Sequence, residues 1–193
     1  MVVKVVRTVL FSLVFTIYTA SCVAKPVQLA DYNAQTFFEN YKLICRNYSP
    51  MFDVALPDSK LTYQGETSLY KKYTFRTNNY AFVSIYENKA GCVSVVEAKK
   101  EKYQAGEAEH IVLAGVCVEY TLDLSRSERG YLDEAVEKSK KIEKNIMILR
   151  DNGSVYSKIN RRYIHRLIEL SGYTYDGQEV DTVSMVYSAD DEE

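Results

Sequence analysis

The sequence predicts one α+β domain that follows an N-terminal export signal, and three observations carry this prediction. The first 24 residues, MVVKVVRTVLFSLVFTIYTASCVA, set two basic side chains before an apolar stretch. Residues 68–98 alternate between apolar and polar side chains with a period of two, which is typical of strands. The segments on either side repeat apolar residues at helical spacing. Together they predict an N-terminal helix, a four-stranded antiparallel meander, two C-terminal helices and a short terminal strand.

The N-terminal segment has the three parts of a signal peptide. A basic region precedes the uncharged run of residues 8–20, and small residues around Ala24 offer a cleavage site. A run of about 13 apolar residues is shorter than the ~20 that a spanning helix needs. We therefore predict a signal over residues 1–24 and a mature periplasmic or secreted domain over residues 25–193. A lipid anchor on Cys22 is the alternative, although the residue three positions earlier is Thr19, where such motifs usually carry Leu.

The first element of the mature chain is predicted to be a helix from Asp31 to about Tyr48. Its apolar residues recur every three or four positions, and Asp31 or Asn33 can serve as its N-cap. Ser49-Pro50 ends it, because the residue before a proline is disfavoured in helical conformation.

Three strands are predicted between Ser68 and Ala98, with turns at residues 77–79 and 87–91. A register in which Arg76 faces Tyr80, and Tyr86 faces Cys92, gathers the aliphatic side chains on one face. A slip by one residue would scatter them. Residues 111–124 also alternate and are predicted as the fourth strand, with a helix as the alternative reading.

The C-terminal part is predicted to be mostly helical. Apolar positions between 132 and 149 describe one helix, although residues 145–150 could instead form a strand that turns at Asn152-Gly153. Residues 154–170 describe a second helix, and a short strand is predicted around 180–187. A helix followed by a four-stranded meander is similar to the cystatin-like arrangement. This resemblance concerns the fold alone and implies no function.

The cysteines allow one disulfide in an oxidising compartment. Cys22 belongs to the signal, which leaves Cys45, Cys92 and Cys117. The predicted sheet register sets Cys117 opposite Cys92, and directly opposed residues have Cβ atoms only about 4.5–5.5 Å apart. We therefore predict a Cys92–Cys117 bond with Cys45 as a buried thiol, and Cys45–Cys92 as the competing pair. The cysteine and histidine spacing matches no zinc pattern, so no metal or other cofactor is predicted.

Few residues suggest catalysis. His165 and Glu169 are four apart on a predicted helix and would share a face, where they could act as an acid and base pair. Cys45 has Arg46 beside it, and a nearby positive charge is one of the conditions that activate a thiolate. The chain lacks a Gly-x-Ser-x-Gly nucleophile motif and a glycine-rich phosphate loop. We therefore assign no catalytic residue.

Two groups of side chains are candidates for binding a partner. The chain has 17 tyrosines and no tryptophan, and tyrosine provides large contact area at interfaces. On the more polar face of the predicted sheet the candidates are Tyr70, Phe82 and Tyr86. A positive rim on the two predicted C-terminal helices provides the others, which are Lys141, Lys144, Arg161, Arg162 and Arg166.

Composition limits the function further. The formal net charge is −2, with 47% hydrophobic and 26% charged residues, which are values of a globular chain with no general affinity for nucleic acid. We predict an exported, non-catalytic protein that binds a protein partner, such as a periplasmic inhibitor or an immunity-type protein. A small secreted or periplasmic hydrolase with a dispersed site is the first alternative, and a structural envelope protein or lipoprotein the second. Membrane contact is expected only through the signal or the alternative lipid anchor at Cys22.

Overall fold

The computed structural model describes residues 27–78, 80–103, 108–143, 146–174 and 180–190. The predicted signal of residues 1–24 and the alternative lipid anchor at Cys22 lie outside these ranges. The described residues form three α-helices and one antiparallel sheet of eight strands. In chain order the elements are α1 (Ala34–Asn47), β1 (Thr62–Glu66), β2 (Tyr70–Arg76), β3 (Phe82–Asn88), β4 (Val93–Tyr103), α2 (Ala108–Thr121), α3 (Arg126–Ser139), β5 (Lys140–Glu143), β6 (Ile146–Ser157), β7 (Arg162–Thr174) and β8 (Val180–Asp190).

The sheet is built from two halves that resemble each other in topology. The strand order is β1-β2-β3-β4-β8-β7-β6-β5, so each half contributes four strands that are consecutive in sequence. Helix α1 precedes the first set of strands, and α2 and α3 precede the second. The last strand of each half lies at the centre, where β4 and β8 pair antiparallel. The two halves therefore share the same order of strands, which no repeat in the amino-acid sequence indicates.

The predicted fold class is wrong in its arrangement. The chain does not form a four-stranded meander with two C-terminal helices and a short terminal strand, because strands β5 to β8 occupy residues 140–190. The predicted similarity to the cystatin-like arrangement is wrong for the same reason. Residues 111–124, predicted as the fourth strand, belong mainly to helix α2. This helix is buried on several sides, so it lacks the single apolar stripe by which a surface helix is recognised in a sequence.

The two predicted C-terminal helices are also wrong beyond Ser139. Strand β6 runs without interruption through Asn152 and Gly153, which pair with Leu167 and Arg166 of β7. The chain reverses at residues 158–161 instead, where Arg161 adopts a φ of 52°. Apolar residues four positions apart fit a helix, but they also lie on one face of a strand, and this ambiguity caused the error. The predicted terminal strand exists, but it extends over Val180–Asp190 and lies in the middle of the sheet.

Helix α3 begins at a reciprocal capping box that also holds a distant turn. The Ser125 amide donates to one Glu128 carboxylate oxygen at 2.6 Å, and the Glu128 amide donates to Ser125 Oγ at 3.3 Å. The Lys158 amide, in the β6–β7 turn, donates to the other carboxylate oxygen of Glu128 at 2.9 Å. Burial opposes ionisation of Glu128, but these hydrogen bonds to its carboxylate outweigh it and lower its pKa.

The register of the first half differs from the prediction in two ways. Arg76 pairs with Phe82 instead of Tyr80, a shift of two residues that leaves every side chain of β2 and β3 on its predicted face. Between β3 and β4, a bulge at Tyr86 and Glu87 changes the phase. As a result Val96, which pairs with Ile85, lies on the helix-covered face in place of the predicted Val95.

The core of the first half lies between α1 and the sheet. Phe75 of β2 packs against Phe38 and Tyr41 of α1, with ring centroids 5.0 Å apart in each pair. The Asn33 side chain caps α1 by accepting a hydrogen bond from the Thr36 amide at 2.8 Å. The predicted N-cap alternative Asn33 is therefore the correct one.

Helix α2 lies close to the central strand β8 at Gly115. A Cβ atom added there would lie 2.4 Å from Met185 Cε and 2.8 Å from Tyr187 Oη. We expect Gly115→Ala to lower the free energy of unfolding by about 1–2 kcal/mol, because overpacking costs more than the gain in helix propensity. Equilibrium unfolding in urea measures this change.

Gly130 of α3 provides the matched control for Gly115. A Cβ atom added at Gly130 meets no atom within 4 Å. Gly130→Ala should therefore stabilise the protein by up to about 1 kcal/mol through helix propensity alone. Equal stabilisation by both substitutions would contradict the close approach of α2 to β8.

Candidate binding surface on the open face of the sheet

One face of the sheet lies opposite the three helices, and we call it the open face. The register across β2, β3, β4, β8, β7 and β6 assigns its members. They are half-buried or exposed except for Ser84. From the first half the open face carries Tyr70, Lys72, Thr74, Arg76, Phe82, Ser84, Tyr86, Val95, Glu97 and Lys99. From the second half it carries Tyr156, Tyr163, His165, Leu167, Glu169, Ser184, Val186 and Asp190.

Tyr86 is the centre of an aromatic group on this face. Its ring meets Tyr70 edge to face, with centroids 6.4 Å apart and an interplanar angle of 82°. The Lys72 ammonium lies 5.2 Å from the Tyr86 ring centroid, within the range of a cation–π contact. The Tyr86 hydroxyl donates to Glu97 at 3.3 Å. These contacts fix the position of the Tyr86 ring before any partner arrives.

Phe82 and Tyr80 extend the aromatic surface along β3. Phe82 is 51% exposed and lies four residues from Tyr86, a distance of about 13 Å along a strand. Tyr80 is 66% exposed in the β2–β3 turn, where the Arg76 guanidinium lies 5.3 Å from its ring centroid. Arg76 is held in turn by a salt bridge to Asp58 at 2.9 Å.

We call Tyr70, Tyr80, Phe82 and Tyr86 the aromatic strip. The prediction from sequence included all of them except Tyr80. That residue was placed in the sheet opposite Arg76, whereas its positive φ of 63° puts it in the turn. The sequence signal for this position is the pair of asparagines directly before Tyr80, because asparagine is typical of turns.

The hydroxyl groups of Tyr70 and Tyr86 stay protonated at neutral pH. Burial raises the pKa of Tyr86, and the Glu97 carboxylate and the hydrogen bond to it raise it further. Burial also raises the pKa of Tyr70. Tyr70 and Tyr86 therefore present neutral hydroxyl groups, and the charges beside them come from the Lys72 and Glu97 side chains.

The second half of the open face is less aromatic and contains His165 and Glu169. Tyr156 and Tyr163 meet edge to face with centroids 5.2 Å apart. His165 Nε2 lies 2.9 Å from Asp190 Oδ2, an ion pair when the imidazole is protonated. His165 and Glu169 are four residues apart on strand β7, and therefore separated by about 13 Å. An acid and base pair of these two residues required a helix, so strand β7 does not form that arrangement, and the sequence had assigned neither residue a catalytic role.

The predicted positive rim is not formed by two facing helices. Arg162 reaches the N-terminal segment, where it donates to the Gln28 carbonyl and to Asp31 Oδ1 at 2.9 Å. Arg161 is exposed in the β6–β7 turn. Lys141 lies in β5, in a stretch whose side chains are not described, and Lys144 lies outside the described residues.

Arg166, the remaining candidate of the rim, is a core residue. Its side chain is 2% exposed, and Nη1 lies 2.8 Å from Glu119 Oε1 and 3.1 Å from Asp133 Oδ1. Nη2 donates to the Leu132 carbonyl. Arg166 therefore cannot contact a partner, and the sequence-based assignment of this residue to a binding surface is wrong.

Glu119 joins this buried network to the centre of the sheet. Tyr187 of β8 donates its hydroxyl to Glu119 Oε1 at 3.0 Å, the same oxygen that Arg166 contacts. Burial raises the pKa of Glu119, and the nearby Arg166 guanidinium opposes this shift without cancelling it. The network connects α2, α3, β7 and β8, and its charged groups point at one another instead of into a cleft.

The cysteines are not arranged as predicted. Cys45 of α1, Cys117 of α2 and Cys92 beside the β3–β4 turn are all free thiols in the structure, and the buried Cys45 and Cys117 have their Sγ atoms 3.5 Å apart. The Cys92–Cys117 prediction depended on residues 111–124 pairing with β4 as a strand. Because these residues lie mainly in a helix, that register does not exist. Burial also removes Cys45 from any surface on which it could attack a substrate.

The described residues offer little else that resembles a site. A shallow depression of about 360 Å³ lies between α1 and the segment before β1, lined by Phe38, Glu39, Lys42, Pro57, Lys60 and others. Within the described ranges no three His, Cys, Asp or Glu side chains are grouped to hold a metal ion. No helix in those ranges has the length and hydropathy to span a bilayer. Comparison with protein-family models, with curated proteins and with solved structures finds no match for this chain.

Proposed function

We propose that this chain is an exported, non-catalytic protein that binds another protein through the aromatic strip. The observation that carries the proposal is the row of aromatic side chains on the face opposite the helices, with Tyr80 and Phe82 more than half exposed. Neighbouring exposed aromatic residues mark interaction surfaces more often than isolated ones do. The sequence features of residues 1–24 support export.

The shape and charge of this surface favour a protein partner. Small-molecule sites are concave, whereas the strip lies on an extended sheet face. Lys72 and Glu97 provide both signs of charge beside the rings, so the surface does not select for a polyanion. Aromatic rings at the centre with charged groups around them are typical of interfaces between separately folded proteins. A periplasmic inhibitor or an immunity-type protein would have a surface of this kind.

The interactions within the strip reduce what binding costs in entropy. Tyr86 is held by Tyr70, Lys72 and Glu97, and the Tyr80 ring is covered on one side by Arg76. A side chain that is already ordered loses less conformational freedom when a partner covers it. The strip is therefore preorganised for contact.

Affinity capture with the full chain tests the proposal. Wild-type protein should recover a specific protein from the envelope fraction or medium of its source cells. Phe82→Ala should weaken binding of that protein by about 2 kcal/mol, or about 30-fold in Kd, as expected for an aromatic hot spot. Titration of the recovered partner against each variant measures this change.

Tyr163→Ala provides the control on the same face of the sheet. Tyr163 is also exposed, but it lies in the second half, away from the strip. Its replacement should leave Kd within a factor of about two, as for most residues outside a hot spot. The proposal fails if Phe82→Ala and Tyr163→Ala bind equally well, or if wild-type protein recovers no specific partner.

A further inference from the structure

We propose that Cys45 and Cys117 form a disulfide bond that joins helix α1 of the first half to helix α2 of the second. The sequence pattern predicts a bond from Cys92 to either Cys117 or Cys45, and it does not predict a bond between Cys45 and Cys117. The inference concerns a covalent modification of the core; it rests on the proposed export to an oxidising compartment but not on the proposed binding through the aromatic strip.

The geometry of the two thiols is the main support. Their Sγ atoms are 3.5 Å apart, whereas a disulfide requires about 2.05 Å, so the sulfur atoms must approach by about 1.5 Å. Both side chains come from the middle or end of packed helices, and both are fully enclosed by the core. Bond formation therefore requires the two side chains to rotate toward each other from the positions they hold as thiols.

Cys92 is not positioned to compete with this pair. It lies in the turn between β3 and β4, where its amide donates to Asn88 Oδ1 at 3.1 Å. Its carbonyl accepts a hydrogen bond from the Asn88 amide at 2.8 Å. The amide and the carbonyl of Cys92 are therefore both hydrogen-bonded within the turn, whereas the Sγ atoms of Cys45 and Cys117 are already in contact.

Bond formation transfers two electrons and two protons from the cysteines to an oxidant that is itself a disulfide. One cysteine loses its proton and attacks the oxidant, which releases one thiol and leaves a mixed disulfide. The second cysteine then loses its proton, attacks the protein sulfur of the mixed disulfide and releases the second thiol. With glutathione disulfide as oxidant, the products are one protein disulfide and two glutathione molecules.

The timing of this reaction follows from the environment of the thiols. The hydrogen bond with Cys45 and burial both raise the pKa of the Cys117 thiol, so the reactive thiolate is disfavoured once the helices have packed. Burial also excludes the oxidant. Oxidation is therefore expected during folding, when α1 and α2 first meet in an oxidising compartment.

Refolding followed by peptide mapping tests the bond. The full chain is reduced, denatured and refolded in a mixture of reduced and oxidised glutathione, and remaining thiols are alkylated before trypsin digestion. Trypsin separates the four cysteines of the full chain, because Cys22 falls in residues 8–42, Cys45 in residues 43–46, Cys92 in residues 90–99 and Cys117 in residues 103–126. We expect residues 43–46 to be linked to residues 103–126 and residues 90–99 to be alkylated. Reductant should separate the linked species, with a gain of about 2 Da for the two added hydrogens.

Two variants make the result decisive. Cys92→Ser should retain the link between residues 43–46 and 103–126, and Cys45→Ser should lose it. Full alkylation of both Cys45 and Cys117 in refolded wild-type protein would overturn the proposal and leave the pair as packed thiols. A link that contains residues 90–99 as the main product would overturn it as well. The wild-type protein and Cys92→Ser both keep the buried core unchanged. Only Cys45→Ser replaces a core residue.

Discussion

Replacing Arg166 with Met should lower the free energy of unfolding by about 3–5 kcal/mol, the cost of leaving one member of a buried ion pair without its partner. Arg166 is the buried cation nearest to Glu119, with 2.8 Å between Nη1 and Oε1. Met fills a similar volume but supplies no charge or hydrogen bond, so Glu119 would keep only the Tyr187 hydroxyl. Equilibrium unfolding in guanidinium chloride at pH 7.5 measures the loss.

The effect of Arg166→Met should depend on pH in a defined direction. Burial already raises the pKa of Glu119 in the wild type, and removal of the opposing guanidinium would raise it further. An acid whose pKa is higher in the folded than in the unfolded state stabilises the fold at low pH, and this contribution is lost as the pH rises through the folded-state pKa. The difference in stability between wild type and variant should therefore be smaller at pH 5 than at pH 7.5.

Two further variants separate the ion pair from a general effect of losing an arginine. Arg126→Met removes an exposed arginine at the start of α3 and should change stability by less than about 0.5 kcal/mol. Adding Glu119→Gln to Arg166→Met removes the stranded charge, so the double variant should be more stable than Arg166→Met alone. A double variant that loses the sum of both single effects would show that the two residues do not interact.

Phe75→Ala should destabilise the protein by about 3–5 kcal/mol. Phe75 is only 1% exposed, and its ring packs on both Phe38 and Tyr41 between the sheet and α1. The truncated side chain would leave a cavity that these rigid rings cannot fill. The midpoint of urea denaturation, followed by circular dichroism, measures the loss.

Phe82 provides the matched control for Phe75, since it is the same residue type on the opposite face of the neighbouring strand. Phe82→Ala removes a side chain that is about half exposed and should change stability by less than about 0.5 kcal/mol. The two phenylalanines should thus separate stability from binding. Similar losses of stability in both variants would mean that the open face is covered in solution.

The sequence correctly predicts which face of the sheet a side chain occupies where apolar and polar residues alternate along β2 and β3. Tyr70, Phe82 and Tyr86 share a face in the structure as predicted, even though the β2–β3 register moved by two residues. A shift by an even number preserves which face each side chain occupies. The bulge at Tyr86 and Glu87 shows the limit of this reasoning. One extra residue there moves the side chains of β4 to the opposite face, and no sequence pattern indicates the bulge.

Helix α2 and strands β6 and β7 could not be predicted because their local patterns were ambiguous. Val116 and Val118 alternate as strand residues do, yet they belong to a helix enclosed by α1 and the sheet. Ile164 and Ile168 fit a helical repeat, yet both face the core from strand β7. In each case the packing of distant segments decided between two conformations that the local sequence allowed.

The candidate site shows the same division between local and distant effects. The exposure of Phe82 follows from its place on the polar face of a hairpin, which the sequence indicates. The burial of Arg166 does not, because its partners Glu119 and Asp133 lie on α2 and α3, far away in the chain. The contact between Cys45 and Cys117 spans 72 positions and required the correct fold before it could be seen.

Because β4 pairs with β8, each half of the sheet supplies the hydrogen-bonding partner for the central strand of the other half. Both strands have 11 residues and lie side by side at the centre of the sheet. If either half unfolded alone, the other would expose a long strand edge with unpaired amide and carbonyl groups, which is a template for aggregation. The outermost strands, by contrast, have only five and four residues. Within the described residues, the long strands therefore lie inside the sheet, and the two strands at its edges are the short ones.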